Sequence, residues 1–375
     1  MLNFFITKSF IHIKGNAYIQ LHKFYSSFDA NKQSFMVSYL INSCGFAPEK
    51  ALSASKRLSF NSPEKPNSVI LFFKNQGLSD SEVIKVVKKY PKVLDLLPER
   101  NLLPKIEFLR SYCSSQEDLA SVLVTFPNVL GRSLKKQIIP SFEFLVNLFG
   151  SSENSITVLK RCPALLMHRR LVAPNVDILL EAGVPKENIT GFLKLYPAKI
   201  LQRSERYKVL VDRVREIGIH PTKFSFLIGV MVMSQLSKLS WERKIELFKS
   251  WGCSEEEVLT AFKIHPWCMM ASVGKIEAIL KFLVNEMGWE TLIIMKTPLV
   301  LTFSLKGRII PRCSVLHVLM SEGLIKDAPS LLSVLMMPEI KFLSTYVKHH
   351  EKGDQELLKL YNEKVNQASL EVRRG

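Results

Sequence analysis

The sequence has no acidic residue before Asp29, although Lys8, Lys14 and Lys23 fall in that stretch. Across all 375 residues, 51 Lys and Arg outnumber 34 Asp and Glu, a net charge of 51 − 34 = +17. So large an excess disfavours acidic-surface functions and favours an anionic partner, nucleic acid or a membrane surface. Long apolar runs are also missing. Phe224–Ser237 is 14 residues between Lys223 and Lys238, whereas a membrane-spanning helix needs about 20. The six cysteines (Cys44, Cys113, Cys162, Cys253, Cys268 and Cys313) form no C-x-x-C pair. That argues against a zinc ribbon and reads as small buried hydrophobes in a reducing compartment. Glycine-rich phosphate loops of the G-x-x-x-x-G-K-[ST] or G-x-G-x-x-G type are absent, as are H-E-x-x-H and G-x-S-x-G. No catalytic site, metal site or cofactor is expected, and the chain is not read as an enzyme.

What is present is a repeat. Pro91, Pro127, Pro163, Pro197, Pro266 and Pro298 are spaced by 36, 36, 34, 69 and 32 residues. The long step is two periods with one proline missing near Met231, and Pro338 adds a last, distorted unit. A period near 35 residues signals a stacked array, in which no unit buries its apolar face alone. Three of these prolines are followed thirteen positions later by a second one, Pro104, Pro140 and Pro311, and Pro163 is followed after eleven by Pro174.

Pro140 suits the first turn of a helix, where its missing N–H costs nothing. Phe142, Leu145, Leu148 and Phe149 then recur at helical spacing, and Gly150 stops the helix by taking positive φ. Ser151 or Ser152 caps a second helix with Ile156, Leu159 and Cys162 on its apolar stripe, and Pro163 ends it. The same grammar predicts turns at Gly77, Gly183, Gly218, Gly252, Gly288 and Gly323. Ser79 with Glu82, and Ser254 with Glu257, have capping-box spacing. Three residues past each first proline stand Leu94, Leu130, Leu166, Ile200, Met269 and Leu301, predicted to be buried between units. Tyr90, Phe126, Tyr196 and Phe262 are also assigned to the core.

The motifs Pro-x-Val-Leu at Pro91–Leu94 and Pro127–Leu130, and Pro-Ala-Leu-Leu at Pro163–Leu166, each sit between a glycine-terminated and a proline-initiated helix. This pattern resembles the mitochondrial transcription termination factor family in its plant branch, over about residues 35–347. The resemblance implies an all-α solenoid. Each unit would have two α-helices plus a short 3₁₀ turn, and the units would stack into a curved superhelix whose positive groove accepts duplex nucleic acid. The sequence departs from the pattern around Met231 and at Pro338, where Lys341 replaces the expected apolar residue, so these two units are expected to be bent or frayed. Tetratricopeptide and pentatricopeptide arrays share the period, but regular small helix-packing residues are absent and paired prolines are not required there.

Between the paired prolines lie the cations. Arg132, Lys135 and Lys136 occupy one connector, His168, Arg169 and Arg170 the next. Arg203 and Arg206 follow Pro197, and Lys306, Arg308 and Arg312 surround the last. Cations at one phase of successive units form a stripe, which is what a phosphate backbone requires. For any one of them a solvated, solubilising face is the competing reading. The expected partner is double-stranded DNA or structured RNA of an organelle, bound by a monomer, with no membrane. The role is transcription regulation including termination. Intron splicing or RNA processing is one alternative, and a protein-binding scaffold another. Residues 1–28 read as an organelle transit peptide, mitochondrial in preference to chloroplast, with 29–350 the repeat array and 351–375 a charged C-terminal tail.

Overall fold

The computed structural model describes residues 33–325, 329–348 and 354–372. Its elements are helical throughout, with no strand among the described residues. The chain divides into two compact units. The first runs to Ala173 and includes Leu193–Leu201; the second takes Pro174–Phe192 and the chain from Gln202 onward.

Each repeat is built by local backbone chemistry. Helix Ile139–Phe149 ends at Gly150, whose φ of 77° lies in the left-handed region that favours glycine. The hydroxyl of Ser151 then accepts from the Asn154 N–H at 3.1 Å and starts helix Ser152–Arg161. Both capping boxes form, at Ser79 with Glu82 and at Ser254 with Glu257. The second helix of a unit stops at the residue before its proline. There Tyr90, Phe126 and Thr297 take φ of −136°, −140° and −126°, away from helical geometry as a following proline demands. The proline then opens a short 3₁₀ turn: Pro91–Asp95, Pro127–Gly131, Pro197–Ile200, Pro266–Met270 and Pro298–Thr302. After Pro163 the equivalent segment, Ala164–Met167, is a single α-turn instead.

The second prolines Pro104, Pro140 and Pro311 lie in the first turn of their α-helices, as the sequence suggested, each preceded by a wider π-turn, whereas Pro174 lies inside the α-helix Arg169–Glu181. Pro98–Leu102, Leu134–Ile138 and Leu305–Ile309 run directly into Leu103–Arg110, Ile139–Phe149 and Ile310–Ser321. In each, the N–H just before the proline reaches back five residues: Leu103 to Pro98, Ile139 to Leu134 and Ile310 to Leu305. A proline lacks an N–H and its ring crowds the carbonyl four residues back, and the wider turn relieves both. Helix Ser204–Ile217, which has no such proline, is α-helical from its first turn.

Burial follows the repeat. Leu94, Leu130, Ile200, Met269 and Leu301 are fully buried, and Leu166 is 3% exposed. Phe262 is core, but Tyr90, Phe126 and Tyr196 are only half-buried, because each sits at the fraying last residue of its helix. The helices are too short to persist alone in water, so these contacts hold the array together.

The unit around Met231 is bent, as expected. Without a proline, Phe224–Gln235 is one helix buried on all sides from Phe226 to Met233, and the chain turns by 110° into Lys238–Ser250. No single helix among the described residues is long and apolar enough to cross a membrane. In the last unit Lys341 is exposed and Phe342, one residue later, is fully buried. The reading of 351–375 as a charged tail also needs correction. Asp354–Val372 is a helix whose Leu357 and Tyr361 pack with Phe342, Val315 and Leu319. Residues 1–28, read as a transit peptide, lie outside the described residues.

Candidate nucleic-acid interface

In the first compact unit the sequence-predicted cations converge. Arg132 follows the 3₁₀ turn Pro127–Gly131, and Lys135 and Lys136 lie on the π-turn Leu134–Ile138, capped by the Ser133 hydroxyl accepting from the Lys136 N–H at 3.2 Å. That turn packs against Ala164–Met167, which leads directly into His168, Arg169 and Arg170. Gln137 fixes the junction by donating to the Met167 carbonyl at 3.1 Å. Arg132, Lys135, Lys136, Arg169 and Arg170 are all exposed and make no ion pair among the described residues. Arg169 is steadied by the Phe144 ring, 5.9 Å from its guanidinium carbon. Arg132 borders Tyr90, whose hydroxyl takes the space a side chain on Gly131 would fill. Burial pushes the Tyr90 pKa up, and the Arg132 charge opposes that shift.

In the second compact unit Arg203, Arg206 and Lys306 are exposed, Arg206 reaching the Ser234 carbonyl at 3.4 Å. Arg308 and Arg312 are not part of such a surface, contrary to the sequence reading. Arg312 is 1% exposed, and its Nη1 donates to the carbonyls of Val334 and Met337, each at 2.6 Å. Its guanidinium carbon lies 4.7 Å from the Phe342 ring centre. Arg308, half-buried, donates to Leu335 and Met337 and lies over Phe303 at 5.3 Å. These two arginines satisfy the carbonyls around Leu331–Met336, whose helix ends ahead of Pro338.

Their role is a recurring one that sequence reasoning missed. Lys105 donates to the Leu130 carbonyl, Asn175 to Gln202 at 2.9 Å, Lys244 to Met269 at 2.5 Å and Lys275 to Thr302 at 2.9 Å. Each reaches 25–27 residues ahead, to the end of the next unit's 3₁₀ turn. Lys105, Asn175 and Arg312 each directly follow the second proline of their unit, and that shared position was the available signal. Desolvation lowers the pKa of Lys105, Lys244 and Lys275, as expected of amines committed to the interior. A second clasp joins successive C-termini: Lys89 donates to Val124 at 2.8 Å, and Arg161 to Lys194 and Leu195. Cations there also meet the negative end of the helix dipole. The chain's positive charge is therefore divided between such unit-to-unit clasps and an exposed set.

Comparison with known proteins agrees with this architecture. The mTERF family model matches twice, over residues 30–171 and 153–343. The chain belongs to the mTERF family. Within it, the chain is 26% identical over 142 residues to the transcription termination factor MTERF8, chloroplastic, of Arabidopsis thaliana. That alignment covers 37% of the chain and 28% of the relative, so the chain spans less than a third of that relative's length. The family assignment covers both atypical units of the array, around Met231 and at Pro338.

Proposed function

We propose that this mTERF protein is an organellar nucleic-acid-binding factor that acts in transcription of organelle genes, including termination, without catalysing a reaction. The observation that carries the reading is the set Arg132, Lys135, Lys136, Arg169 and Arg170. These are exposed cations with no acidic partner among the described residues, contributed by adjoining segments of two consecutive repeats. Charges so placed meet successive phosphates without first breaking internal ion pairs, and phosphate neutralisation supplies most non-specific affinity. The relative's name, a chloroplastic transcription termination factor, supports the process and an organelle. The acid-free start of the sequence supports import. Double-stranded DNA is the proposed ligand. Phosphate contacts alone do not select DNA over RNA, so structured RNA in splicing or processing is served by the same surface.

The test is competition by unlabelled duplex DNA, structured RNA and heparin against one labelled duplex. Displacement by duplex DNA at the lowest concentration supports the proposal. Preference for RNA moves the role to RNA processing, and failure of the duplex to bind at all overturns it in favour of a protein-binding scaffold.

A further inference from the structure

A cavity of about 460 Å³ opens in the first compact unit, lined by residues other than the exposed set described above. Five cations line it: Lys50 from helix Pro48–Ser55, Arg57 just after that helix, Lys88 and Lys89 from the last turn of Asp80–Lys89, and Lys92 from the 3₁₀ turn that follows. Tyr90 lies among them, and no carboxylate lines the cavity. Lys89 is already committed to the Val124 carbonyl. Lys50, Arg57, Lys88 and Lys92 are exposed and make no ion pair among the described residues. The nearby Asp95 forms an ion pair with none of them; its carboxylate accepts from the Ser59 N–H and hydroxyl at 3.1 and 2.9 Å.

Five like charges around one concavity repel one another, and an anion of high charge density relieves that repulsion. An internal phosphodiester brings one negative charge. A phosphomonoester brings about 1.5 to 2 at neutral pH, with three acceptor oxygens. The volume falls within the range of about 300–1,000 Å³ typical of small-molecule sites, and Tyr90 lines it beside the cations. We infer that this cavity binds a phosphomonoester, the 5′-phosphate of a nucleic-acid strand or of a free nucleotide. The strand-end source rests on the proposed function; the chemistry of the cavity does not.

The experiment uses the full chain and a short single strand with a 3′ fluorophore, as its 5′-phosphate and its 5′-hydroxyl form at one salt concentration. The phosphorylated strand is expected to bind about tenfold more tightly, the worth of one added charge-assisted hydrogen bond. The Lys88→Ala/Lys92→Ala variant, and separately Arg57→Gln, should lose that increment and keep the affinity for the hydroxyl form. AMP should abolish the increment and adenosine should not. If AMP saturates the cavity at lower concentration than the phosphorylated strand, the ligand is a free nucleotide; the reverse order makes it a strand end. Should neither strand bind while AMP titrates calorimetrically, the cavity stands and the strand-end source falls. Equal affinity for both strands together with no heat from AMP overturns the inference.

Discussion

Arg312→Met separates a buried clasp from a ligand contact. The substitution keeps most of the stem volume and removes the guanidinium, so the Val334 and Met337 carbonyls lose donors at 2.6 Å and Phe342 loses its cation at 4.7 Å. A hydrogen bond from a charged donor is worth about 1.5–3 kcal/mol, and a cation over a desolvated ring adds about 0.5–2 kcal/mol. Against this, the cost of burying the guanidinium is relieved and the Met337 carbonyl keeps its bond from Arg308, which leaves a net loss of about 1–3 kcal/mol. For a unit of this size that lowers the midpoint of thermal unfolding by roughly 2–12 °C. Arg312→Lys should recover only part of it: an ammonium can still donate to carbonyls, but it lacks the planar guanidinium that lies 4.7 Å from the Phe342 ring. Thermal unfolding followed by circular dichroism reads the loss, and hydrogen exchange should place it in Leu331–Met336 and Asp354–Val372. An unchanged midpoint with weakened nucleic-acid binding would refute the reasoning and return Arg312 to the interface.

Leu130→Asp places a carboxylate at a fully buried site between units and should unfold its neighbours with it, seen as lost helical ellipticity and new proteolytic cuts on both sides of Pro127–Gly131. Wild-type behaviour in both assays would contradict the buried register. Burial pushes the thiol pKa to about 12 at Cys268 and Cys313 and to about 11 at Cys44 and Cys253. At pH 8 maleimide should therefore modify the half-buried Cys113 first and leave those four until the chain unfolds; early labelling of Cys268 would contradict the packing. A fluorescent fusion of residues 1–40 is expected in an organelle, with mitochondrion and chloroplast told apart by imaging, and cytosolic signal from both fusion and full chain would rule out the organellar role.

The repeat was legible because its signals act locally. A proline dictates the backbone of the residue before it, a glycine accepts positive φ, and the buried position three residues past each proline follows from one 3₁₀ turn. These rules placed Leu94, Leu130 and Met269 correctly with no knowledge of the neighbouring unit. They failed where the answer depends on direction. Lys306, Arg308 and Arg312 share one connector and one charge, yet Lys306 faces out and Arg312 inward, because successive helical residues rotate by about 100° around the axis. The carbonyls that demand Arg312 lie 22 and 25 residues further on, at Val334 and Met337, so no local pattern announces them. The C-terminal helix was missed for a related reason. Its charged surface dominates the composition, while among the described side chains Leu357 and Tyr361, one turn apart, are the fully buried ones, with Leu358 and Val365 packed beside them.

The exposed stripe is tested most directly by the salt dependence of binding for wild type and Lys135→Ala/Lys136→Ala. Anisotropy would be measured on one duplex DNA and one structured RNA. Each phosphate neutralised on duplex DNA contributes about −0.9 to the slope of log affinity against log salt. The double variant should flatten that slope by up to about two units and weaken all sequences alike, since phosphate contacts carry no sequence information. Its folding should be unaffected, because exposed substitutions shift stability by no more than about 0.5 kcal/mol. A slope unchanged on both ligands would contradict the account and leave Lys135 and Lys136 as a merely solvated face.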